Sequence, residues 1–106
     1  MPKYLIQANY VGEGIKGLLK EGGSSRRTAV EKLAESLGGT IEAYYYAFGD
    51  TDLFVIADMP DNVTAAAVSL TASAAGTATT KVTVLLTAEE IDAAVKKSPS
   101  YRPPGQ

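Results

Sequence analysis

Side chains that could do chemistry fall on alternate positions of four predicted strands, where aromatic residues share one face with polar and ionisable residues. Such a face could wall and anchor a small apolar or aromatic ligand, with Lys81 or Asp58 as an acid, a base or a charge partner. The candidate ligand-binding residues are Gln7, Asn9, Tyr44, Tyr46, Phe54, Asp58 and Lys81. The alternative is an ordinary contact between subunits, in which Lys81 pairs with Asp58 or Glu42.

Two glycine-containing segments resemble ligand-binding loops. Asp50 and Asp52 are two residues apart and could bind a divalent cation through carboxylate oxygens. Asp and Gly are also the residues that a tight turn requires, so we expect a turn in which Asp52 accepts hydrogen bonds from turn amides. The segment 12–17 fits G-x-G-x-x-G, but a dinucleotide site needs a doubly wound parallel sheet, for which the chain is too short. We expect a flexible glycine-rich connection there.

The composition excludes several classes of function. The chain has no cysteine and no histidine, which excludes disulfides, thiol nucleophiles and zinc–thiolate sites and removes the commonest general base. A net charge of -2 argues against nucleic-acid binding. No apolar run is long enough to span a membrane, and the N-terminus has no signal-peptide core. We therefore predict a cytoplasmic protein with no catalytic residues, metal, cofactor, nucleic-acid partner or membrane partner.

The hydrophobic periodicity predicts four strands and three helices. In the first helix Thr28 and Glu31 have capping-box spacing, and Ser24 or Ser25 could cap it one turn earlier. Asp61 caps the second helix, and Thr87 with Glu90 begins the third. The apolar face of the second helix is predicted to be Val63, Ala67, Leu70 and Ala74. The predicted strands are 4–10, 40–48, 52–59 and 77–86, and the predicted helices are 24–37, 61–76 and 87–97.

This order predicts an α+β, ferredoxin-like βαββαβ domain over residues 1–97, with an antiparallel sheet and an added C-terminal helix. Residues 98–106 form an extended proline-rich arm, which either docks on a neighbouring chain or stays in solvent.

Alternation along the strands assigns the residues to two faces of this sheet. One set, which includes Tyr4, Tyr45 and Val55, is almost entirely apolar and should face the helices. The other set is mixed, but it holds too many large apolar groups to be left in water. These groups are Leu5, Tyr44, Tyr46, Phe48, Phe54, Ile56 and Leu85. Because no predicted helix is left to cover them, we expect the face to pack on the same face of a second chain, giving a dimer or a larger homo-oligomer.

The chain resembles the GYD-domain family of small bacterial proteins over roughly residues 3–95. The resemblance rests on Asn9 with Gly14-Ile15, on the segments 32–39 and 45–52, and on residues 55–61. It implies membership among the dimeric α/β-barrel proteins, and it carries over no established activity. Thr51 replaces the tyrosine that names the motif, while Gly49 and Asp52 remain.

Two functions are compatible with these patterns. The first is an oligomeric binding or structural protein without catalytic machinery. The alternative is a cofactor-free monooxygenase- or isomerase-like enzyme with an aromatic-lined pocket on the open sheet face, which rests on analogy of fold. An enclosed cavity that touches Asn9, Tyr46 and Lys81 would favour the enzyme.

Overall fold

The computed structural model describes all 106 residues and contains four strands and four helices. Two helices, rather than one, connect the first two strands. The elements are β1 (Lys3–Tyr10), α1 (Glu13–Glu21), α2 (Gly23–Ser36), β2 (Thr40–Tyr46), β3 (Leu53–Asp58), α3 (Asn62–Ala74), β4 (Ala78–Leu85) and α4 (Ala88–Val95). No helix has the length and apolar character needed to cross a membrane.

The four strands form one antiparallel sheet in the order β2-β3-β1-β4. This is the ferredoxin-like order, so the predicted α+β fold is confirmed. Helices α2 and α3 contribute Ala34 and Ala65 to the largest buried cluster, with Tyr4, Ala57 and Met59 from the sheet and its edge. The core therefore lies on one face of the sheet, and no helix covers the opposite face.

Helix α1 occupies the segment that we expected to be a flexible connection. Gly12 and Gly22 flank it with positive φ angles of 49° and 83°, which an L side chain rarely adopts. Gly14 is buried, and a Cβ atom there would collide with the carbonyl of Thr77. The predicted cap of α2 is wrong, because the N-cap residue is Gly22 and the hydroxyl of Thr28 donates to the carbonyl of Ser24.

Helix α3 begins as predicted but turns a different face to the sheet. Asp61 accepts a hydrogen bond from the amide of Thr64 at 2.8 Å and so caps the helix. Its inward side carries Ala65 and Val68, whereas Val63 and Leu70 are 79% and 71% exposed. Tyr4 and Met59 fill the space beneath the helix, so only small side chains fit closely against the sheet. The predicted apolar face, which also included Ala67 and Ala74, points outwards.

An irregularity in β2 changes the faces of its aromatic residues. Ile41 lies opposite Ala57, but the next paired residue, Ala43, lies opposite Ile56, so that Glu42 is an extra residue. Such a bulge moves all later side chains to the other face. The structure therefore corrects the assignments of Tyr44, Tyr46 and Tyr45. Tyr44 and Tyr46 pair with Val55 and Leu53 on the helix side, and Tyr45 pairs with Phe54 on the open face.

The C-terminal part of the chain extends away from the domain. Thr87 and Glu90 form the predicted capping box of α4, which is confirmed. Every residue from Leu86 to Gln106 is exposed, and residues 98–106 contain no helix or strand. The radius of gyration is 17.0 Å, against about 13 Å for a compact chain of this length. The difference reflects a helix and arm that do not fold back on the sheet.

Candidate functional site

The seven predicted ligand-binding residues do not form one site. Gln7 lies opposite Phe54 on one side and Lys81 on the other, so these three side chains share the open face of the sheet. Asn9 and Asp58 occupy the same face at its two ends. Tyr44 and Tyr46 lie on the helix side because of the bulge at Glu42. Tyr46 therefore lies on the face of the sheet opposite to Asn9 and Lys81.

The charges on the open face pair differently from the prediction. Lys3 donates to Asp58 at 2.9 Å and to Glu42 at 3.1 Å, whereas Lys81 makes no salt bridge. The hydrogen bond to Asp58 is the main cause, followed by that to Glu42, of a pKa of Lys3 above its ordinary value. Our strand assignment began at Tyr4, so it missed Lys3. Lys3 could have been placed on this face from the sequence, because it alternates along the strand with Leu5 and Gln7.

The turn between β2 and β3 is fastened to the end of β1. The carboxylate of Asp52 accepts from the amide of Tyr10 at 2.9 Å, and the Asp52 amide donates to the carbonyl of Ala8 and to Oδ1 of Asn9. Asp52 is thus an acceptor as predicted, but its donor is an amide of β1 rather than of the turn. The side chain of Gln7 donates to the hydroxyl of Thr51 at 3.3 Å. No group of three or more potential metal ligands comes together in the chain.

Three tyrosines gather on the helix side, close to the start of α2. The hydroxyl of Tyr46 donates to the carbonyl of Gly23 at 3.0 Å, and the hydroxyl of Tyr44 lies 3.2 Å from that of Tyr46. Because the Tyr46 proton is directed at Gly23, Tyr44 is the donor between the two hydroxyls. Burial raises the pKa of Tyr44 and, to a lesser degree, that of Tyr10. The hydroxyls of Tyr44 and Tyr10 therefore remain protonated and neutral at physiological pH.

A cavity of about 380 Å³ opens beside these tyrosines. It lies between the α1–α2 junction and the β2–β3 hairpin, and most of its wall is apolar. Its lining residues are Tyr10, Ile15, Leu18, Gly23, Tyr46, Ala47, Phe48 and Asp52. We call this cavity the tyrosine pocket. The pocket was not predicted, because α1, which contributes Ile15 and Leu18 to its wall, was not predicted.

The tyrosine pocket is better suited to binding than to catalysis. Its apolar wall excludes water from one side of a bound molecule, and the tyrosine hydroxyls and Asp52 offer a few polar contacts. The Asp52 carboxylate already accepts the Tyr10 amide, and the neutral Tyr10 hydroxyl is a poor general base. The chemistry on offer is therefore hydrogen bonding to a mostly apolar, flat molecule.

No curated protein and no solved structure matches this chain. The family model of the GYD domain matches residues 4–95 of the 106. The match begins in β1, includes the turn with Asp52, and ends at the last residue of α4, so that only the C-terminal arm follows it. The chain belongs to the GYD-domain family.

Proposed function

We propose that this protein is a self-associating binding protein without catalytic machinery, and that two copies meet through the open faces of their sheets. The observation that carries the proposal is a face rich in large apolar side chains with no helix over it. Only 10 of 106 residues are buried in the single chain. The single chain exposes 7354 Å², whereas a compact monomer of 11.1 kDa exposes about 5,700 Å², and a partner on the open face would remove part of this excess.

The composition of the open face suits contact with an identical face. Leu5, Phe54 and Ile56 lie near its centre, with Tyr45 and Leu85 at its flanks. Lys3 is already neutralised within the chain by Asp58 and Glu42. Each carboxylate of this network thus keeps a hydrogen bond to a cation when the face is covered, although the three groups together carry one net negative charge. Two-fold pairing of one surface with itself is also the commonest form of homo-oligomer.

The test replaces an apolar residue of the open face with a charge. Phe54→Lys should lower the molar mass measured by light scattering, because two copies of the new cation would face each other across the contact. Ala29→Lys is the matched control, since Ala29 is an exposed residue of α2. It should leave the mass unchanged. An unaltered mass for Phe54→Lys, with circular dichroism showing a folded chain, would overturn the proposal.

A second function, binding of a small aromatic molecule, is favoured by the tyrosine pocket. Ile15, Leu18 and Phe48 provide apolar surface for a planar ring, and Phe48 is fully exposed at the mouth. Tyr10 and Asp52 also line the pocket and supply polar groups. Because the lining contains a carboxylate and no cationic side chain, an anionic ligand is disfavoured and a neutral molecule is a suitable probe.

Titration with 2-naphthol, followed by its fluorescence, tests this second function. We expect saturable binding that Leu18→Glu weakens by at least about tenfold, or 1.4 kcal/mol. Leu19→Glu provides the control, because Leu19 is the next residue of α1 and is 82% exposed outside the pocket. Binding that does not saturate, or that both variants weaken equally, would contradict a role for the pocket.

A further inference from the structure

Helix α4 carries an apolar stripe whose residues are all exposed in the single chain. Ile91 and Val95 lie one turn apart on one side, with Ala88 and Ala94 beside them. Ile91 is 46% exposed and Val95 72%. The opposite side carries Glu89, Glu90, Lys96 and Lys97. An amphipathic helix of this kind gains little stability until its apolar side is buried.

The same chain has an open apolar groove between α3 and β4. The groove has a volume of about 350 Å³, and its wall includes Leu70 of α3 and Val82 and Val84 of β4. Val84 and Leu70 are among the exposed large hydrophobic residues of the chain. None of the 13 residues of α3 is charged, which is unusual for a helix with an outer face in water. The groove and the outer face of α3 therefore have the character of a covered surface.

We propose that α4 of one copy occupies the α3–β4 groove of a second copy. The two surfaces match in chemistry, since both are aliphatic and neither places a charge at its centre. The helix α4, about 12 Å long, is also short enough to lie within the length of α3, which is about 20 Å. Each chain carries one α4 helix and one α3–β4 groove. Two copies can therefore exchange their α4 helices reciprocally, so that both grooves are filled.

The occupant comes from another copy because α4 does not lie in the groove of its own chain. The hydroxyl of Thr87 accepts from the Glu90 amide at 3.1 Å, and the Glu90 carboxylate accepts from the Thr87 amide at 2.9 Å. These two bonds fix the start of α4 only two residues after the end of β4. Every residue of α4 is exposed in the single chain, so α4 does not cover its own groove.

This contact lies on the helix side of the sheet and is separate from the open face. The α4 exchange alone links two copies. Its combination with the open-face contact, which rests on the function proposed above, gives an assembly larger than a dimer. The two contacts can therefore be tested separately, because a different variant disrupts each one.

The first experiment compares Val95→Glu with Ala93→Glu by light scattering. Both changes place a glutamate on α4, but only Val95 lies on the apolar stripe, whereas Ala93 lies among the charged residues. Val95→Glu should lower the molar mass, and Ala93→Glu should not. If Phe54→Lys lowers the mass and Val95→Glu does not, the α4 exchange is wrong and the open-face contact survives. The reverse result removes only the open-face contact.

The second experiment distinguishes exchange from folding back. Because the chain has no cysteine, Leu70→Cys and Val95→Cys can be introduced together and joined with a flexible bis-maleimide. Exchange predicts covalent dimers or larger species on a denaturing gel. Cross-linking within one chain consumes both thiols without changing the mass, and that result would overturn the proposal, as would the absence of any cross-link. The pair Leu70→Cys and Ala93→Cys is the control and should cross-link far less.

Discussion

The two faces of the sheet differ in how they are completed. On the helix side, Leu53 and Val55 are 6% and 2% exposed, because they pack among Ala8, Ile41 and Tyr44. On the open face Phe54, between them in sequence, is 36% exposed and has no element above it. Adjacent residues of one strand thus have different surroundings. The helix side accounts for the fold of the single chain, and the open face is the surface that we assign to assembly.

The largest effect should come from the helix side of β3. Leu53→Ala should lower the free energy of unfolding by about 2–5 kcal/mol, because a buried leucine leaves a cavity when truncated. Urea denaturation measures this loss, which should be the same at every protein concentration. Phe54→Ala, one residue further on, should have a smaller effect that grows with protein concentration, since its partner is a second copy. If both variants lost the same free energy of unfolding at every protein concentration, the two faces would not differ as described.

An intermediate effect is expected where the hairpin is fastened to β1. Asp52→Ala leaves the amide of Tyr10 without its acceptor, which should cost about 1–3 kcal/mol of unfolding free energy. Asp50→Ala is the control, since its side chain is exposed in the same turn and surface changes usually stay within about 0.5 kcal/mol. Thermal and urea unfolding measure both. Equal stability of the two variants would show that Asp52 does not fasten the hairpin.

The smallest expected effect on the free energy of unfolding comes from Tyr44, and it tests whether this residue is buried on the helix side of the sheet. Burial raises its pKa in the folded chain, whereas an unfolded chain releases the same proton near pH 10. The stability that the protonated Tyr44 contributes is therefore fully present below about pH 10, and it is lost as the pH rises further. Tyr44→Phe should lose less stability than wild type between pH 8 and pH 11, as measured by urea unfolding. Tyr101→Phe removes an exposed hydroxyl from the C-terminal arm and should follow the wild-type curve. Identical curves for all three proteins would argue against a buried Tyr44.

Much of the fold was predictable because local patterns determine it. Alternation in β1 and β3 assigned Tyr4, Leu5 and Val55 to the correct faces, and the caps at Asp61 and Thr87 follow from short-range hydrogen bonding. The bulge at Glu42 was not predictable, because the residues on either side of it suit both faces of a sheet. That single extra residue relocated Tyr44 and Tyr46, and with them the candidate pocket.

The inward face of α3 depended on distant residues. The side of α3 with the largest apolar residues, including Val63 and Leu70, was predicted to face the sheet. The structure turns Ala65 inwards, because Tyr4 and Met59 already occupy the space below the helix. A local pattern does not contain this information, since Tyr4 is about sixty positions away in the chain. Because of the same error, the outer face of α3, to which we assign the α4 helix of a second copy, was not recognised as an exposed apolar surface.

The molar mass of the wild-type protein in solution tests the central claim most directly. The claim is that a second copy completes the open face of the sheet. One chain has a mass of 11.1 kDa, and light scattering at micromolar concentration should give at least twice that value for wild type, with a lower value for Phe54→Lys. A stable wild-type species of 11.1 kDa would contradict the claim.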